Sequence, residues 1–240
     1  MSNHNTTNNI QEKPVTLQII GHIHTDYPTK FGIPRQSGLV KSARAYITFE
    51  PEFQNPDCFR GINEFSHLWL IWRFSENQNA GWTPTVRPPR LGGNMRKGVF
   101  ATRAPFRPNP LGLSSVCLES IEFHSEQGPI LHITGADLMD NTPIYDIKPY
   151  IPYSDSHPDA TGSFSATALE HQLTIHCDEK LLSRIPEEKQ KTLLDTLVLD
   201  PRPSYQNDPE RIYGMEFDHY DIRFRVEQTE LYVLDILNIK

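Results

Sequence analysis

Between Glu76 and Glu119 the chain has no acidic residue and six basic ones: Arg87, Arg90, Arg96, Lys97, Arg103 and Arg107. The whole chain sums to −7, so with +6 here the remainder carries −13. A cationic island in an acidic protein is a place for an anion. Arginines bind phosphate and carboxylate through paired hydrogen bonds. The island reads TPTVRPPRLGGNMRKGVFATRAPFRPNPLGL; its prolines fix backbone angles and its glycines let a ligand approach the chain closely. The cations therefore sit on stiffened loops suited to a shaped anion. Downstream, DLMDNTPIYDIKPY (137–150) brings three carboxylates, Asp137, Asp140 and Asp146. They could hold an ammonium group or ribose hydroxyls, accept a proton, or simply cap turns. Backbone amides in PRQSG (34–38) and LGGN (91–94) could bind the polar end of a small molecule. An anionic polymer together with a small cationic ligand would use both sets of charges.

Other chemistries lack their signatures. No GxGxxG follows a strand, and there is no GxxxxGK[ST] or GxSxG. Without a CxxC pair or HExxH, zinc is not indicated. His22 and His24 would share a strand face and could supply two metal ligands, although such a pair is more often incidental. Cys58, Cys117 and Cys177 are odd in number and far apart, which is expected of reduced thiols in a cytoplasmic protein. Trp69 and Trp72 read as core or dimer-interface residues.

The elements that position these groups are mostly strands. With 37% hydrophobic and 22% charged residues, the composition supports a folded core, and twenty prolines disfavour a helix bundle. The polar segment 1–13 has no apolar core and is expected to be a disordered tail, not a secretory signal. Strands are predicted at 15–23, 43–49, 66–74, 97–102, 111–123, 129–138 and 144–152, the fifth and sixth forming a hairpin. No apolar run reaches the roughly 20 residues needed to cross a membrane. A first domain is assigned to 14–155 and a polar linker to 156–168. From 169 to 240 the pattern changes to one strand, helices at DEKLLSR and PEEKQKTLLDTLVLD with Pro186 opening the second, and two or three further strands. This smaller α+β domain is net acidic.

Five ordered blocks carry a resemblance. PRQSGLV, GINEFSHLWLIWRF, RPPRLGGNMRKGVFATRAPFRPNPLGLS and DLMDNTPIYDIKPYIP resemble the TsaA/TrmO family of S-adenosylmethionine-dependent tRNA methyltransferases, and DPRPSY (200–205) suggests the bacterial long form. Where the family usually has Gly after DLxD this chain has Asn141, the next-best residue for a positive φ. The resemblance implies a mainly β fold, with an antiparallel β-barrel and a C-terminal α+β domain, in a cytoplasmic homodimer. It implies methyl transfer from S-adenosylmethionine to N6 of N6-threonylcarbamoyladenosine beside the tRNA anticodon.

Carried over residue by residue, it assigns Gln36, Ser37, Gly38, Ser75, Glu76, Arg103, Leu113, Leu138, Met139, Asp140 and Asn141 to the cofactor. Arg87, Arg90, Arg96, Lys97 and Arg107 are candidates for the tRNA backbone or the threonyl carboxylate. Asp140 and Asp146 are candidates for taking the N6 proton. Two other readings use the same residues: a noncatalytic RNA-binding module that keeps an S-adenosylmethionine pocket, and a methyltransferase of a small anionic metabolite. The overall charge of −7 favours the second of these unless the cations cluster on one face.

Overall fold

The computed structural model describes residues 14–77, 81–88, 95–124, 126–162, 172–202 and 208–239. Arg90 and the tail 1–13 lie outside the described residues, as do 163–168 of the expected linker, the following 169–171, the LGGN stretch (91–94) and Pro203 to Tyr205 of the DPRPSY block.

Six strands close into an antiparallel barrel: β1 (Gly21–His24), β2 (Arg44–Phe49), β3 (His67–Arg73), β6 (Leu111–His124), β7 (Gly128–Thr134) and β8 (Thr142–Pro149), in the order β1-β2-β7-β6-β3-β8. Two short strands, β4 (Thr85–Val86) and β5 (Lys97–Gly98), pair with each other outside it. The mainly β barrel expected from the sequence is therefore present. The two-residue period of each strand sorts its faces. Leu68, Leu70 and Trp72 of β3 point inward opposite Val116, Ser114 and Gly112 of β6, while Trp69 and Ile71 point outward. Ile23, Ile47, Leu70, Leu131 and Ile144 fill the interior. At Gly112 a Cβ would lie 2.2 Å from the Trp72 ring, so only glycine lets that indole lie flat in the barrel.

Three strands are shorter than expected. β1 begins only at Gly21, because Val15 and Leu17 are solvent-exposed and meet no partner strand. The strand expected at 97–102 is two residues long and continues as a 3-10 turn, Val99–Ala101. β7 stops at Thr134, where Gly135 turns the chain with φ +79°.

The second unit is a four-stranded sheet of β9 (Thr174–His176), β10 (Tyr213–Phe217), β11 (Tyr220–Glu227) and β12 (Glu230–Asn238), ordered β10-β11-β12-β9. The helices of the described residues are short or medium: α1 (Pro152–Asp155), α2 (Glu179–Leu182) and α3 (Glu187–Val198). Pro186 is the N-cap of α3, just outside the first turn, where its missing N–H leaves no intrahelical bond unmade. Leu193 and Leu197 of α3 face Phe217, Phe224 and Leu231 of the sheet in one apolar cluster.

That cluster also takes residues from the barrel's first long loop. Tyr27, Val40 and Ala43 are buried within it, with Phe31 and Ile33 packed against it. Phe31 stacks parallel to Phe224 at 6.5 Å, and a Cβ on Gly32 would strike the Met215 sulfur. The loop between β1 and β2 is thus part of the second core. Polar bonds reinforce the seam: the Tyr27 hydroxyl lies 3.0 Å from Thr196 Oγ1, and Lys189 Nζ donates to both Asp26 and Asp218 at 2.7 Å.

Candidate active site

The PRQSG loop lies between the two units. Gly38 adopts φ +76°, and its N–H donates to Gly135 O at 2.8 Å; a Cβ on Gly135 would be 3.4 Å from Gly38 Cα. The two glycines thus let the loop lie against the start of the segment 135–141. On its open side a Cβ at Gly38 would meet nothing within 4 Å, leaving space for a ligand beside the backbone.

Asp137 stands at the floor of this junction. Ser114 Oγ donates to Asp137 Oδ1 at 2.5 Å, and Trp72 Nε1 donates to Ser114 Oγ at 3.0 Å. The Ser37 amide also donates to the Asp137 carboxylate, and the Arg103 guanidinium lies close enough to favour its charge. Burial dominates nonetheless and raises the Asp137 carboxyl above its ordinary range, against the pull of Ser114, the amides and Arg103. Arg103 itself donates to Gln36 Oε1, so the basic island reaches the loop at this point. Ser37 Oγ accepts from Ser115 N–H at 3.2 Å, which ties the loop to β6.

The rest of DLMDN forms a tight turn. Leu138 is buried in the barrel, and its carbonyl accepts from Thr25 Oγ1 at 3.1 Å. Met139 O accepts from Thr142 Oγ1 at 2.7 Å. Asp140 Oδ1 accepts from the Thr25 amide at 3.0 Å and lies 3.6 Å from His24 Nδ1, with the side chain 43% exposed. Asn141 has φ +60°, the left-handed conformation its residue type suits.

The structure therefore brings Gln36 and Arg103 together and sets Ser37 and Gly38 against Asp137 and Gly135, while the 138–141 turn that follows is bonded to residues 23–27. Ser75 and Glu76 form a 3-10 turn after β3, and Glu76 O faces Lys30 Nζ of the β1–β2 loop at 3.5 Å. Leu113 stands apart, 54% exposed on the outer face of β6 opposite Ile71. Asp146 is also outside the constellation: it lies on β8, paired with Lys148 Nζ at 2.9 Å and with the Ile147 amide. His22 and His24 do share an outward face, where His22 meets Glu50 at 3.3 Å.

The island folds into a flap. Val86 pairs with Lys97 across the β4–β5 ladder, Val99 N–H donates to Pro84 O at 3.0 Å, and Arg96 reaches Thr85 Oγ1 at 3.0 Å. Arg87 and Arg96 are exposed. Arg107 is turned inward, donating to Val99 O at 3.3 Å and Thr102 O at 2.6 Å, so it shapes the flap.

Two contributors escaped sequence reasoning. Ser114 is a polar residue at an inward strand position, and nothing in LGLSSVCL distinguishes it from its outward neighbour Ser115. Arg35 sends NH2 to the carbonyls of Asp200 and Arg202, both at 3.0 Å, a bond between segments at least 165 residues apart that no local pattern encodes.

Residues 22–156 match the tRNA-methyltransferase O N-terminal domain, and residues 166–239 match the TrmO C-terminal domain. The chain is 41% identical over 226 residues to a tRNA (adenine(37)-N6)-methyltransferase of Escherichia coli (strain K12), covering 90% of this chain and 96% of that one. A Pseudomonas aeruginosa protein provisionally named an S-adenosylmethionine-dependent methyltransferase is 37% identical over 226 residues, covering 90% and 95%. The crystal structure of TrmO from Pseudomonas aeruginosa superposes with a TM-score of 0.76 at 31% identity, covering 95% of this chain and 99% of that one.

Proposed function

This chain belongs to the tRNA-methyltransferase O family, and we propose that it methylates N6 of N6-threonylcarbamoyladenosine beside the tRNA anticodon, using S-adenosylmethionine. The observation that carries the reading is the junction of the PRQSG loop, Asp137 and Arg103, where a half-buried carboxylate bonds to Ser114 and Ser37 and the adjoining Gly38 backbone has open space beside it.

The residues there fit the cofactor. The Gln36–Gly38 backbone, Arg103 and the Leu138–Asn141 turn would hold its polar groups, with Ser75 and Glu76 at the rim. Asp137 supplies a fixed negative charge for a cationic ligand. When bound, S-adenosylmethionine supplies a methyl group on a sulfonium, already a good leaving group. The protein's main task is then alignment, which contributes up to roughly 7–11 kcal/mol in favourable cases.

The nucleophile is N6 of a urea, whose lone pair is delocalised, so removing its proton helps. Asp140 suits that role better than Asp137: its carboxylate is half-exposed with one oxygen fixed by Thr25, whereas Asp137 is enclosed by three donors. Asp146, salt-bridged on the outer strand face, is assigned no part in proton transfer. Arg87, Arg96 and Lys97 meet phosphates from the flap, and Arg107 supports them by holding the flap's turn. The outer face carrying Trp69, Ile71 and Leu113 is the surface we assign to a second copy in a homodimer.

Transfer of labelled methyl from S-adenosylmethionine to bulk tRNA from cells lacking this activity tests the reading. Label in tRNA supports it. Label in a small metabolite without tRNA would establish the rival methyltransferase, and tRNA binding with no transfer would establish the noncatalytic module.

A further inference from the structure

The acidic C-terminal domain has no part in the chemistry above, yet its Asp200–Arg202 turn is tightly bonded within itself. Asp200 holds φ +52°, a left-handed conformation that Asp adopts more readily than most residues other than glycine. Arg202 folds back onto it through two bonds, Nε to Oδ1 at 2.9 Å and NH2 to Oδ2 at 3.0 Å. The Arg202 amide donates to the same carboxylate at 3.2 Å. Both residues are more than nine-tenths buried. This internal ion pair fixes the direction of two backbone carbonyls, Asp200 O and Arg202 O, and both accept from Arg35 NH2. Arg35 is the residue immediately before Gln36, Ser37 and Gly38.

We infer that the Asp200–Arg202 turn is a brace that sets the PRQSG loop, with Arg35 as the positioning residue that couples the second domain to the cofactor wall. The inference rests on the reading of that loop as the cofactor wall. Its physical basis is that a loop binds best when already held in its bound shape, because less ordering entropy is then lost on binding. The apolar anchors Tyr27, Phe31, Ile33 and Val40 fix the loop's flanks in the second core. They leave the stretch 34–38 without a buried side chain of its own except Pro34; Ser37 and Gly38 tie it to the barrel, and Arg35 supplies its tie to the second domain. The coupling is reciprocal: ligand bound at the loop stabilises the docked second domain by the same free energy.

The test uses the full chain with three substitutions. Arg35→Met removes the donor, Arg202→Lys removes the two-bond pairing while keeping charge, and Ser42→Ala removes a different interdomain bond, from Ser42 Oγ to Asp195 at 2.6 Å. Hydrogen exchange at the Ser37 and Gly38 amides and the Kd for S-adenosylmethionine are both read well below the melting temperature. Arg35→Met and Arg202→Lys are each expected to speed exchange and weaken cofactor binding by about tenfold, consistent with loss of a charged hydrogen bond. The KM for cofactor rises while kcat at saturation holds. The double variant is no worse than about the single ones, since both act through one linkage. Ser42→Ala lowers the melting temperature but moves neither readout. Unchanged exchange and Kd in Arg35→Met, or an equal response in Ser42→Ala, overturns the brace. If the wild-type chain does not bind the cofactor, the cofactor reading falls, and the exchange measurement alone still decides the brace.

Discussion

The two walls of the candidate site are held in opposite ways. On one side, the loop carrying Gln36, Ser37 and Gly38 is embedded at both ends in the C-terminal core and bonded to Gly135, Ser115 and Asp137. On the other, the flap of Arg87, Arg96 and Lys97 is joined by a two-rung ladder, and no described residue from 81 to 110 belongs to either apolar cluster. Its Trp82 and Phe100 are 57% and 78% exposed. Sparse apolar burial means low local stability. A rigid wall suits a small ligand of fixed shape, and an adaptable cationic wall suits a large polyanion. Arg103, bonded to Gln36, is where they meet.

The sharpest way to break this division is Asp137→Ala. It strips an acceptor from Ser114 and Ser37 and a counter-charge from Arg103, and about a hundredfold loss of cofactor affinity is expected in calorimetry. Asp140→Asn keeps an acceptor for the Thr25 amide. It is expected to lower kcat by roughly a hundredfold, within the range of acid–base contributions, with cofactor Kd nearly unchanged. Equal losses in both would move Asp140 to the binding wall. Replacing Arg87, Arg96 and Lys97 with Gln acts on the other wall. The slope of log K for tRNA against log salt should flatten by about 0.7–0.9 for each phosphate no longer neutralised, without any change in cofactor Kd. A flat salt response in the wild type would remove phosphates from the flap's role.

The pH dependence of stability follows from Asp137. Burial holds its folded carboxyl above the unfolded value of about 3.9. Below that value both states are protonated and no difference arises. As pH rises the unfolded chain ionises first, so this group lowers stability progressively until the folded carboxyl ionises too. Asp137→Asn removes that cost. Its melting temperature relative to wild type should therefore climb over that interval and stay higher at neutral pH, although activity falls. The smallest effect is expected of Asp146→Asn: an exposed pair with Lys148 is worth at most about 1 kcal/mol, so turnover should change by no more than a few fold.

The barrel was legible because its signal is local. The continuous apolar run at 66–74 and the long stretch at 111–123 predict the strands, and once they are strands the two-residue period puts Trp72 and Trp69 on opposite faces. The turn at Asn141 was legible through the resemblance, because Asn stands where the family usually has Gly and suits a positive φ. The end of β7 was not, because an apolar run continues past Gly135 into residues buried for a different reason: Leu138 enters the barrel from a loop. Likewise HTDYPTKFGIPRQSGLV (24–40) reads as a turn-rich connection, since nothing near Tyr27 or Phe31 signals that Phe217 and Phe224 will cover them. Charge clustering marks out the island, yet it could not separate Arg107, spent on backbone carbonyls, from Arg87 and Arg96 at the surface.

Nucleoside mass spectrometry of tRNA from cells lacking this activity, incubated with S-adenosylmethionine and either the wild-type chain or Asp137→Ala, tests the central claim most directly. The account predicts conversion of N6-threonylcarbamoyladenosine to its N6-methyl derivative by the wild type and almost none by the variant. An unmodified nucleoside after wild-type treatment, or equal conversion by the variant, would contradict it.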